Sequence, residues 1–292
     1  MGIVSLLISA FAGGVFGALF GGTTLFIFMG FFTLIGSAIA IAGGGDIFLN
    51  QIAFGPSFAP HIAFVGGVAA AAFYGRNQKR LSQDEVFAES EPGTFMGADT
   101  ITALYKMRSL PTLLVGGLFG VIGFILVTAL TAIESPIDAS ATTVATTGII
   151  ARLIFGQSGL LGKYPPAESR YNFSTKQILF LLFWSGALAV VTHQVVALTQ
   201  VSVIMFGFSA LSLIVLYFGI EIPVTHHITL VSGTVVLMFN NLWITILFGM
   251  FAALLGEFYQ RTFNTHVDSH IDNAALTIAT CTLILSGISL FF

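Results

Sequence analysis

The sequence is short of charge. Only 8% of its 292 residues are Asp, Glu, Lys or Arg, against 56% hydrophobic, and the mean hydropathy is +0.96. A soluble domain needs about 25% charged residues to face water. The shortage excludes a soluble globular exterior and leaves the lipid bilayer as the fitting solvent. A net charge of −3 gives no basis for binding nucleic acid. The one cysteine, Cys281, excludes an internal disulfide and a thiolate metal cluster. No GxxxxGK[ST] loop, HExxH pair or GxSxG elbow occurs. The chain is therefore read as neither an ATPase nor an enzyme, and no cofactor is implied. His and Asp crowd together at 225–227 and 264–270, but at spacings that fit no recognised metal site. The N-terminus lacks the basic start of a cleaved signal peptide, and its apolar run continues from Ile3 to Gly43.

That run is about twice the ~20 residues of one span, which predicts two helices with a turn at Gly21-Gly22. Ten apolar segments follow in all: 3–20, 22–43, 61–76, 110–133, 137–156, 177–198, 200–219, 225–241, 242–262 and 272–292. The fold class is an all-α integral membrane protein of about ten spans. Segments 61–76 and 225–241 are short for a bilayer and follow helix-breaking prolines, Pro56 and Pro60 in one case and Pro223 in the other. The polar stretches, 77–109 and 157–176, are too small to be domains. Ten spans put every basic residue, from Arg76 to Arg261, on connections 3–4, 5–6 and 9–10, all on one side. The positive-inside rule makes that side cytoplasmic and both termini extracytoplasmic.

The chain also repeats itself. Residues 134–150, ESPIDASATTVATTGII, align with 268–284, DSHIDNAALTIATCTLI, and eight of the seventeen positions are identical. Residues 60–73 align with 226–239, matching His61 to His227, Gly67 to Gly233 and Phe73 to Phe239. Phe28-Met29-Gly30-Phe31 pairs with Met205-Phe206-Gly207-Phe208. The order is the same throughout, so the halves are 1–156 and 177–292, with 157–176 as a cytoplasmic linker. Five spans per half is an odd number, which turns the second half upside down, as in many transporters. The first half carries about 11 extra residues between Gly30 and His61; with Asp46 and Asn50 they suggest a re-entrant or lid segment.

Polar groups at membrane depth are costly and mark candidate sites. His61, after Pro60, and His227 start the two short helices, with Gly67 and Gly233 at matched positions beyond them. Either histidine alone reads better as a cap reaching interfacial water. Their pairing gives a site equal weight with that reading, and the helix N-termini favour an anion. Asp138 and Asp272 form the second pair, each with Ser135 or Ser269 three residues earlier as the expected cap. The alternative is ion binding, helped by Thr146 and Thr280. His193 reads as a packing histidine, and Glu257 with Arg261 as an i,i+4 ion pair.

Residues 43–75, GGGDIFLNQIAFGPSFAPHIAFVGGVAAAAFYG, and 145–163, ATTGIIARLIFGQSGLLGK, resemble multi-span, permease-like membrane proteins of Gram-positive bacteria. The resemblance implies a bacterial cytoplasmic membrane and names no substrate. The expected function is a secondary transporter or permease for a small solute, with its site between the halves. The alternatives are a passive channel, or an intramembrane enzyme or scaffold subunit. Glycine-rich faces also suit packing between copies in a homo-oligomer.

Overall fold

A computed structural model describes residues 2–84 and 95–290. Within them all regular structure is helical. The α-helices are α1 (Ile3–Phe20), α2 (Gly22–Ile41), α3 (Val65–Asp84), α4 (Leu110–Ala132), α5 (Ala139–Phe155), α6 (Thr175–Thr199), α7 (Ile204–Ser212), α8 (His226–Phe239), α9 (Leu242–Phe263) and α10 (Asn273–Ser289). Wider π-helical turns occupy Leu49–Ala53 and Pro60–Phe64, and a tighter 3₁₀ turn, Leu213–Phe218, extends α7. Five helices, α1, α2, α4, α6 and α9, are long and apolar enough to cross a bilayer. The helices α5, α7, α8 and α10 have 17, 9, 14 and 17 residues. At 1.5 Å per residue even the longest of these rises only about 25 Å.

Helix boundaries follow local chemistry. Gly21, at φ 88°, makes the turn between α1 and α2. Asn241 caps α9, and a Ser174–Gln177 capping box starts α6. The polar reading of 77–109 is corrected at its start, because α3 continues to Asp84. Residues 85–94 of that stretch lie outside the described ones.

Packing recurs along the chain. In the first half α1 lies on α4 and α3, and α4 lies on α3 and α5; in the second, α6 lies on α9 and α8, and α9 lies on α8 and α10. Between these groups α2 packs on α7 and α5 on α10. Both of these pairs run antiparallel. Thr24 meets Tyr217 (2.6 Å) while Thr33 lies against Gly207. The Asp138 amide donates to the Thr282 hydroxyl (3.0 Å), and Gly148 sits against the backbone of Ile271 and Asp272. In the alignment Asp138 corresponds to Asp272 and Gly148 to Thr282, so these two contacts are reciprocal. One apolar core spans the junction, drawing Phe26, Met29, Phe64 and Val144 from one half and Phe206, Ile228, Val231 and Ile278 from the other. Large apolar side chains such as Leu118, Phe183, Leu198 and Trp243 stay exposed on the outer faces of α4, α6 and α9, compatible with lipid contact.

Candidate functional site

Inside this junction lies a cavity of about 560 Å³. Its wall is built largely where short helices begin: Pro60 and His61 at the π turn, Asp138 to Ala141 at α5, His226 at α8, and Asp272 to Ala275 at α10. His270 joins them from the preceding loop. Much of the remainder is apolar. Four phenylalanines form a continuous chain of ring contacts: Phe64 to Phe26 at 5.9 Å, Phe26 to Phe206 at 5.8 Å, and Phe206 to Phe54 at 6.1 Å.

Asp138 and Asp272 themselves cap α5 and α10. Each Oδ1 accepts from the amide three residues on, Ala141 at 2.7 Å and Ala275 at 2.6 Å. This corrects the expected serine caps. Ser135 merely accepts a long bond from the Ile137 amide, and Ser269 is held by Arg152. Aspartate wins because its carboxylate both satisfies a free N–H and meets the positive end of the helix dipole. Asp272 also lies 3.6 Å from His270 through Oδ2, whereas Asp138 has no histidine beside it among the described residues.

The two expected histidines part company. His61 lines the cavity and its Nδ1 pairs with the Ser140 hydroxyl at 2.8 Å. His227 does not line it; its ring faces Gly256, and its Nδ1 is buried without a partner. The alignment gives the reason, because Ser140 corresponds to Ala274, which has no hydroxyl to offer. His226, not His227, reaches the cavity, wedged between Phe26 (4.7 Å) and Phe206 (5.8 Å), and its Nδ1 also lacks a partner.

Several other expected residues stand away from the cavity. Gly67 and Gly233 allow close backbone crossings, on Gly17 and Gly22 in one case and on Ser202 in the other. Thr280 bonds the Leu276 carbonyl and Tyr259, and Thr146 is half-buried on α5 outside the lining. Asp46 and Asn50 are exposed. His193 pairs with Thr245 at 3.1 Å, and Glu257 with Arg261 at 2.7 Å.

Sequence reasoning missed Ser140, His226 and His270 as wall residues, and it missed Arg152. His270 stands where Pro136 stands in the first half, so no repeat marked it. Arg152 is 1% exposed. It donates to the Ser269 hydroxyl and carbonyl and to the Leu160 and Phe263 carbonyls, tying the end of α5 to the loop before α10. At the aligned position the Ser286 hydroxyl donates to the Pro136 carbonyl. Among the described residues no three His, Cys, Asp or Glu side chains gather as a metal site.

A family model matches the chain in two stretches, residues 1–175 and 169–291, and the chain belongs to that family of unknown function, DUF7973. No curated protein and no solved structure matches it.

Proposed function

We propose that this DUF7973 chain is a secondary transporter or permease for a small solute, built from two five-helix halves inverted in a bacterial cytoplasmic membrane. The carrying observation is the reciprocal, antiparallel packing of aligned helices around one cavity. Antiparallel partners related by a two-fold require the axis to cross the helices, so it lies in the plane of the membrane. The two matched stretches divide inside the 157–176 linker, which supports the same halves. On this reading the residues at His61 and α5 approach the cavity from one face, and those at His226 and α10 from the other. Short helices with polar starts at a repeat interface are where transporters place their solute.

The sequence favoured an anion because the helix N-termini at His61 and His227 were expected to converge. Asp138 and Asp272, which cap α5 and α10, put two carboxylates on the same wall, and that works against an anion. The alternative, a passive channel, is favoured by the length of the wall, which includes Thr23 and Thr100 at the start of α2 and Thr131 near the end of α4.

Flux into proteoliposomes tests both. A transporter gives saturable uptake that responds to an opposing proton or sodium gradient; a channel gives flux that ignores it. Folded, reconstituted protein with no flux across a broad solute panel would sink both.

A further inference from the structure

Among the described residues the lining includes two carboxylates, Asp138 and Asp272, and no lysine or arginine. Asp272 has His270 beside it at 3.6 Å, whereas Asp138 has no ion-pair partner among the described residues and is held by backbone amides. A carboxylate away from bulk water is costly unless a counter-charge meets it. Among the described residues no three His, Cys, Asp or Glu side chains gather there as a metal site. Much of the wall is aromatic: the Phe64–Phe26–Phe206–Phe54 chain, with His226 set against two of those rings. Aromatic faces attract cations whose charge is spread over carbon. The volume, about 560 Å³, falls in the range that encloses a small organic molecule. His226, a lining residue only 8% exposed, adds a further aromatic ring to that wall, with its Nδ1 buried away from the open space.

We propose that the cavity binds an organic monocation with an apolar body, a protonated amine or a quaternary ammonium. Asp138 supplies the counter-charge and the phenylalanine wall holds the apolar part. Asp272 reinforces the negative potential while partly committed to His270. This deepens the transport reading by assigning its solute class, and it replaces the anion that the paired helix starts at His61 and His227 suggested.

The test uses three probes of similar shape on the purified full chain in detergent: benzyltrimethylammonium, its uncharged carbon analogue neopentylbenzene, and benzylsulfonate. Equilibrium binding is measured for the wild type, Asp138→Asn and Asp272→Asn; asparagine retains the helix cap, so the fold is kept. Benzyltrimethylammonium is expected to bind at least tenfold more tightly than either other probe. Asp138→Asn is expected to lower its affinity at least tenfold and leave neopentylbenzene within twofold; Asp272→Asn is expected to lower it less. The proposal is overturned if the sulfonate binds as well as the ammonium, if both variants bind the ammonium like the wild type, or if no probe binds folded protein. Binding here needs no membrane, so its failure is separable from failed transport. Ammonium binding without flux in vesicles would remove the transport reading and keep this one; anion flux without ammonium binding would do the reverse.

Discussion

Gly30 and Gly207, aligned residues of the two halves, touch each other where α2 crosses α7. A methyl group on Gly30 would lie 2.8 Å from the Gly207 carbonyl oxygen, and one on Gly207 would lie 3.1 Å from the Gly30 carbonyl oxygen. Each glycine is hemmed in by the opposite helix, Gly30 by Ala210 and Leu211 as well as Gly207, and Gly207 by Thr33 as well as Gly30. Gly30→Ala or Gly207→Ala should each cost about 1–3 kcal/mol through overpacking. The double variant should cost less than the sum, because both push apart the same crossing. Thermal unfolding in detergent measures this; full additivity would show that the two contacts are independent.

The histidine pair predicts a gain. His61 has Ser140, while the position aligned with Ser140 in the second half is Ala274 and His227 keeps an unpartnered Nδ1. Ala274→Ser should stabilise the fold by about 0.5–1.5 kcal/mol, the net worth of a new buried hydrogen bond. Ser140→Ala should destabilise it, since it orphans His61. If the melting temperature falls in both variants, the two histidine environments are not equivalent.

Topology is open to direct labelling. Lys106 and Glu134 are both exposed and stand at opposite ends of α4. A cysteine at 106 should react from the cytoplasmic side and one at 134 from the outside; a cysteine at Asn240 should behave like that at 134. The native Cys281 is buried, so background reaction is low. Labelling of positions 106 and 134 from one face would overturn the span count and the inversion together.

Asp268 makes the loop before α10 sensitive to acid. Burial works to raise its carboxyl, but hydrogen bonds from the Ser158 hydroxyl and from backbone amides, including that of Gln157, outweigh it and hold the group below its ordinary value. A depressed carboxyl stabilises the fold fully above the ordinary carboxylate range and loses that contribution as pH falls through its folded value. Melting temperature should therefore drop on acidification, and Asp268→Asn should flatten that part of the curve. An unchanged acid limb in the variant would place the pH sensitivity elsewhere.

Much of this architecture could be read in advance. Apolar runs bounded by glycine, proline and polar caps marked nearly every helix, because lipid forces backbone groups to pair within each segment. Self-similarity at 134–150 and 268–284 located α5 and α10. The wall of the cavity was harder to read. Its phenylalanines are indistinguishable by sequence from the other Phe residues, most of which pack or face outward. His226 and His270 occupy repeat positions that hold proline, Pro60 and Pro136, in the first half, so no matched partner singled them out. Asp138 looked like a first-turn acid with a serine cap behind it; only backbone geometry showed the carboxylate itself at the cap.

The unequal pair Arg152 and Ser286 has a consequence for energetics. A protein duplicated perfectly and working by exchange between its halves would rest equally in two orientations. Here one junction is fastened by several bonds from a buried guanidinium and the other by one hydroxyl. Each ~1.4 kcal/mol of that difference biases the resting population about tenfold. On the proposed transport reading, that inequality would give the chain a preferred direction of opening set largely by Arg152, which a bound solute would have to supply energy to reverse.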